Sequence, residues 1–328
     1  MPRRHNTILH DRVALAAAAG TLEKDLPINP ISFLTLTLRA LNNGASAVPT
    51  IASILGKVSN VEVLLDGKTL AGASLTDLAV LTFALWGIAP HVHPISKTDN
   101  DILNVTVQVP FGRSPWHPTE ALPATRKGDL SLRLTYIADA GGIDTVTATV
   151  DVRQILDSDP QSFLKYVTST KTPSATGEHE MDLVTGPDYL GILFFGTTVP
   201  TAAAQTASIA KLKLKVDDVE HLLPETRWES LHREMYTFFN TPLMGMDHTH
   251  ISDLAAAYTQ FQLTGRPTYD DNLWNNYAYL DFDPRDDNSY RLITRGRSRV
   301  HFVVTADVAD LIRMIPVELI PLVEAPAA

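Results

Sequence analysis

Two stretches of this chain follow the same local plan, and that repetition constrains the fold more than any single motif. Residues 57–87 read KVSNVEVLLDGKTLAGASLTDLAVLTFALWG, and residues 211–239 read KLKLKVDDVEHLLPETRWESLHREMYTFF. Each opens on an alternating run that suits a β-strand. In the first, Val58, Val61, Val63 and Leu65 share a face, with one slip near Asn60. In the second, Leu212, Leu214 and Val216 alternate with Lys211, Lys213 and Lys215. A polar turn follows, Asp66-Gly67 in one copy and Asp217-Asp218 in the other. A helical segment comes next, entered through Ser74 in the first copy and through Glu225-Thr226 in the second. Such a repeat means a duplicated domain or an accident, and the order of the flanking elements decides between them.

The flanks repeat as well. Residues 31–41 alternate Phe33, Thr35 and Thr37 against Leu34, Leu36 and Leu38, and residues 189–198 take the same place before the second copy. After the helices come strands at 102–109 and 277–282, each running into proline (Pro110 and Pro284). Residues 130–137 and 145–152 then match 300–304 and 311–319. The first of these pairs reads as a hairpin turned at Ala140-Gly141-Gly142. Most of the drift in spacing arises at residues 240–273, and one long insertion is tolerated cheaply in a surface loop. The expected organisation is an N-terminal arm or short helix over 1–28, a first domain over 29–157, and a polar linker over 158–182. A second domain over 183–328 carries the insertion.

Composition supports two β-rich domains. With 328 residues, 45% hydrophobic and 20% charged, the chain can bury sizeable cores, and its 21 prolines favour many loops. A net charge of −10 argues against a dedicated nucleic-acid binder, and the absence of cysteine removes disulfides, thiolate metal sites and a thiol nucleophile. No apolar run approaches the ~18 residues of a membrane span. Arg3 and Arg4 ahead of the apolar residues 13–20 superficially resemble a signal peptide, but Asp11 and Arg12 abut that short run.

Antiparallel domains of this size, with many short strands and one inserted helix, suit jelly rolls of about eight strands each. The fold class expected is therefore mainly β, two tandem eight-stranded jelly-roll β-sandwiches, each with a short inserted helix. In tandem they resemble the double jelly-roll major capsid proteins of tailless icosahedral viruses, including bacteriophages. The segment VEVLLDG at 61–67, continuing through TLAGASLTDL at 69–78, carries the resemblance, together with the repeat at 211–239 and the proline-ended strands. What the resemblance implies is a structural subunit of the virion and no enzyme. It would assemble with itself as homotrimers of pseudo-hexameric outline, beside neighbouring capsomers and minor capsid or penton proteins. Arg3, Arg4 and Arg12 on a free arm would face an internal membrane or the genome. No small-molecule substrate, cofactor or metal is implied.

Two other chemistries compete. A bicupin metalloenzyme would use the HxH pairs His91/His93 and His248/His250, the latter beside Asp247 and Asp253, because such a pair can present two imidazoles to one metal. The glutamate that a cupin needs just after the pair is absent, although His301 lies on a late strand. A carbohydrate-binding sandwich would use Trp116 and His117, yet a tryptophan among prolines more often packs at a contact. Lys211, Lys213 and Lys215 share the outer face of a strand. Arg295, Arg297 and Arg299 have Asp281, Asp283, Asp286 and Asp287 as nearby partners in sequence, and those aspartates lack the spacing of a calcium-hand loop. No nucleophile elbow, phosphate loop or zinc-protease helix occurs.

Overall fold

The computed structural model describes residues 2–43, 51–88, 90, 92–93, 99–139, 142–201, 204–238 and 276–322. In the first half the strands are Arg3–Ala14 (β1), Gly20–Asp25 (β2), Ile31–Asn42 (β3), Val58–Leu65 (β4), Lys68–Ala73 (β5), Ile102–Pro110 (β6), Leu130–Tyr136 (β7) and Ile143–Leu156 (β8). Helix α1 (Ile51–Gly56) precedes β4, and α2 (Leu75–Trp86) joins β5 to β6. The second half has Ser162–Val167 (β9), Gly177–Leu183 (β10), Asp188–Gly196 (β11), Lys211–Val216 (β12), Val219–Glu220 (β13), Tyr277–Asp281 (β14), Val300–Ala306 (β15) and Ile312–Pro321 (β16). Helix α3 (Trp228–Phe238) again lies between the fifth strand of its half and the sixth.

Sheet order proves the duplication. The first half forms β1-β8-β3-β6 facing β2-β7-β4-β5, and the second forms β9-β16-β11-β14 facing β10-β15-β12-β13. Adding eight to each label of the first half gives the second. The two inner sheets are one, because β5 and β9 pair in parallel through Tyr166↔Ala71 and Val167↔Gly72. With the short strands Ser169–Lys171 and Leu292–Ile293 this makes a ten-stranded sheet across the chain.

Local details follow the sequence closely. The register of β4 against β7 shifts between Val58 and Asn60, where the alternation slips. Both residues of the β4–β5 turn have positive φ (Asp66 48°, Gly67 76°), and so do both in the β12–β13 turn (Asp217 51°, Asp218 65°). Two successive left-handed residues match the twist of the flanking strands, and Asp and Gly are among the residues that adopt them most readily.

Three expectations are corrected. The N-terminus is no arm or helix, since β1 pairs along β8 from Arg3↔Leu156 to Ala14↔Thr147 and β2 pairs with β7. The polar stretch 158–182 is not a plain linker; it contains β9, Ser169–Lys171 and most of β10. Residues 130–136 and 143–156 form no hairpin, because β7 joins the inner sheet while β8 joins the outer one. In a sandwich the chain crosses between layers at such a turn, and a short alternating pair reads the same either way. The insertion at 240–273 lies outside the described residues.

Candidate functional site

The seam between the halves is built around α2. Ser74 Oγ accepts from the Asp77 N–H at 3.0 Å, and Gly87, at φ 67°, closes the helix with its N–H on the Phe83 carbonyl at 2.8 Å. Leu75, Leu78, Val80, Leu81 and Phe83 are all buried, so the helix is apolar nearly all round. Only cover on several sides allows that. The second half supplies it: Leu190, Leu193, Tyr277, Ile315 and Val317 share one core with α2 and the first half. The opposite face of the same strands, Ile192, Phe194 and Met314, packs into a separate core. Burial on both faces explains why residues 189–195 run apolar without alternation.

Asp77 is the charged exception on α2, 1% exposed. The Tyr277 hydroxyl donates to its Oδ1 at 2.6 Å and Arg313 Nη2 donates to the same atom at 2.8 Å. The Arg313 guanidinium also lies 3.7 Å from the centroid of the Phe195 ring, a cation–π contact. Burial, then the neighbouring Asp77, pushes the Tyr277 hydroxyl well above its usual range. One carboxylate of the first half is thus held by two side chains of the second.

A second polar cluster bridges the seam from the loop after β6. Arg113 pairs with Glu120 and, through Nη1, with Asp283 Oδ2 at 3.0 Å. Burial alone would raise the Glu120 carboxyl, but hydrogen bonds from Arg113 hold it below its usual value. Asp281 goes the other way, pushed up to about 6 by burial and by the charges of Asp286 and Asp283. Arg113, Asp281 and Asp283 line a cavity of about 160 Å³ that touches the C-terminal end of α2.

No family model matches the chain, and no curated relative matches it. Solved structures do. The STIV major capsid protein aligns with a TM-score of 0.66 at 13% identity over 97% of each chain. The atomic structure of Sulfolobus Turreted Icosahedral Virus gives 0.68 at 14% identity, over 97% of this chain and 91% of that one. The major capsid protein of bacteriophage PM2 gives 0.60 at 12% identity over 98% and 99%. The chain is a double jelly roll.

Within the double jelly roll, the residues singled out by sequence scatter. His91, Asp247, His248, His250 and Asp253 lie outside the described residues, and the backbone of Val92–His93 pairs at the outer edge of β6. His301 is buried on β15, with Nε2 3.8 Å from Glu180. Among the described residues no three histidine, aspartate or glutamate side chains converge as a metal site. Trp116 turns inward, edge-on to Phe33 at 5.3 Å and under the Arg4 guanidinium at 5.0 Å. Arg3 pairs with Asp157 at 2.8 Å, so neither Arg3 nor Arg4 sits on a free arm. Lys211 and Lys213 are tied to Glu225 and Glu178. The arginines of 295–299 pair with Asp188, Asp217, Glu180 and Asp182, not with the aspartates nearest in sequence. Of those aspartates, Asp281, Asp283 and Asp286 line the seam cavity with Arg113 instead. Asp77, Arg113, Glu120 and Arg313 escaped the sequence reading; the one signal was an aspartate inside an otherwise apolar helix.

Proposed function

We propose that this double jelly roll is a viral major capsid protein and the repeating subunit of a virion shell. The observation that carries the reading is the shared two-roll topology, which runs through nearly the whole length of this chain and of the capsid subunits it matches. Three copies would place six similar sandwiches around one axis, giving a pseudo-hexameric capsomer from one gene product. The partners of this reading are other copies of the chain, neighbouring capsomers and minor capsid or penton proteins. It assigns no catalytic residue. A free arm reaching a membrane or genome through Arg3, Arg4 and Arg12 is not retained, since all three lie on β1. The rolls divide between Leu156 and Ser162.

Sedimentation of the purified chain is expected to give a trimer at micromolar concentration, and negative-stain microscopy a near-hexagonal outline. A stable monomer under those conditions would count decisively against the reading.

A further inference from the structure

The duplication calls for a contact that one chain cannot make with itself. Within the chain, β5 pairs with β9, and α2, which follows β5, packs on the outer face of β9-β16-β11-β14 beside Leu193, Ile315 and Val317. Adding eight to each label sets β13 and α3 against a strand after β16. The counterpart of β9 is β1, and β1 of a second copy fills that place. Both edges are open: among the described residues β1 pairs only with β8, and β13 only with β12. Each carries exposed apolar side chains. Ile8, 59% exposed, is the sixth residue of β1 as Val167 is the sixth of β9, and Val219 and Leu222 beside β13 are more exposed still.

We propose that the outer face of β1-β8-β3-β6 in one copy docks head to tail on β13 and α3 of the next, through a contact that is polar where the seam within the chain is apolar. This rests on the capsid reading and names the surfaces by which its copies meet. The outward positions of β3, β6 and β8 include Thr35, Thr37, Arg39, Thr106, Thr149 and Arg153, where the second roll has leucine, isoleucine and valine. Helix α2 is apolar nearly all round, but α3 buries Trp228, Leu231 and Met235 and exposes Glu229, Ser230 and Glu234. A face that meets water before assembly has to be polar, and arginine is enriched on surfaces that are covered afterwards. Charge matches as well. Residues 217–234 hold six carboxylates and two arginines, while β1 holds three arginines and one aspartate, and the face beside it adds Arg39 and Arg153 against Asp151. Arg39 has no ion pair among the described residues and so is open to Glu229 or Glu234 of a neighbour. Opposite charges steer the two faces together, whereas the arginines of β1 keep it from pairing with another β1.

The test is sedimentation velocity on the full chain and on two charge-reversed forms. Arg39→Glu blocks the sheet face, and Glu229→Arg with Glu234→Arg blocks the helix face. Each form alone should raise the trimer dissociation constant by about tenfold or more, and the parent trimer should loosen as NaCl is added. Mixed in equal amounts, the two forms should give a 1:1 pair and no trimer, because each keeps one intact face and a head-to-tail ring cannot close through the blocked ones. All three substitutions in one chain should restore the trimer. Should Arg39→Glu fail to fold by circular dichroism, Ile8→Ala, at an exposed position, should still weaken assembly about threefold. A parent trimer indifferent to Arg39→Glu and Ile8→Ala, or a mixture of the blocked forms that stays monomeric or trimerises, would overturn the proposal and leave the capsid reading standing. A parent that stays monomeric would overturn both.

Discussion

Replacing Asp77 by alanine should separate the two rolls energetically. The substitution removes the acceptor of two hydrogen bonds, from the Tyr277 hydroxyl and from Arg313, at a position 1% exposed. Breaking a fully buried ion pair from one side typically costs ~3–5 kcal/mol, because the surviving charge is stranded. Arg313 is not fully stranded. Its side chain is 20% exposed and keeps the Phe195 ring. The expected loss is therefore near the bottom of that range, about 3 kcal/mol. Asp77→Asn, which keeps one acceptor oxygen and loses only the charge, should cost about half as much. Urea denaturation followed by tryptophan fluorescence measures both, and the Arg313→Met variant closes a double-mutant cycle with a coupling of about 2 kcal/mol. The parent should unfold in one transition and Asp77→Ala in two, the rolls no longer melting together. A loss below about 0.5 kcal/mol, the size of an ordinary surface change, would refute the idea that this pair holds the seam.

Other outcomes follow from single positions. Gly191→Ala should destabilise the chain by about 2–4 kcal/mol in the same assay, because an added Cβ would run into the Tyr279 ring and meet the Leu280 carbonyl oxygen at 2.8 Å. Asp218→Gly should stabilise it by roughly 0.5–1 kcal/mol, since glycine adopts the φ of 65° without the penalty of a side chain. Asp281 has its folded pKa raised to about 6 from an ordinary 3.8, so the folded state holds a proton that the unfolded state has lost between those values. Its contribution is full below pH 4 and is lost as pH rises towards 6, on the order of 2 kcal/mol. Asp281→Asn should flatten that part of the stability profile; an unchanged slope would assign it to another group.

The strands that sequence revealed and those it hid differ in one physical respect, their place in a sheet. In β3, Leu34, Leu36 and Leu38 alternate over a covered core, and β7 and β12 behave alike, so period two survives in the sequence. The first two strands of each roll were missed in both halves. β1, β2 and β10 run along sheet edges, where Arg3, Arg4, Glu23, Lys24, Glu178 and Glu180 point to water. Charges on an edge discourage pairing with another molecule, and they also erase the hydrophobic signal. The seam was invisible for a different reason. Asp77 and Arg313 stand 236 residues apart. Only the folded topology brings them together, whereas Ser74, Asp66-Gly67 and the slip at Asn60 act within a few residues of themselves.

The parallel junction of β5 and β9 has a mechanical consequence. Strands β3 and β6 are zipped by register pairs from Phe33↔Pro110 to Leu41↔Ile102, while the halves are stitched by Tyr166↔Ala71 and Val167↔Gly72. A force drawing the rolls apart therefore loads little strand pairing, and beside it a few loop bonds such as the Leu164 N–H to the Phe111 carbonyl and the Ala121 N–H to the Ser162 carbonyl. Stiffness across the joint comes from α2 acting as a wedge, and from side chains that grip it at Asp77. A shell of such subunits would flex along lines inside each subunit as well as between subunits. Its compliance could be tuned by exchanging a few buried side chains, with every strand left in register.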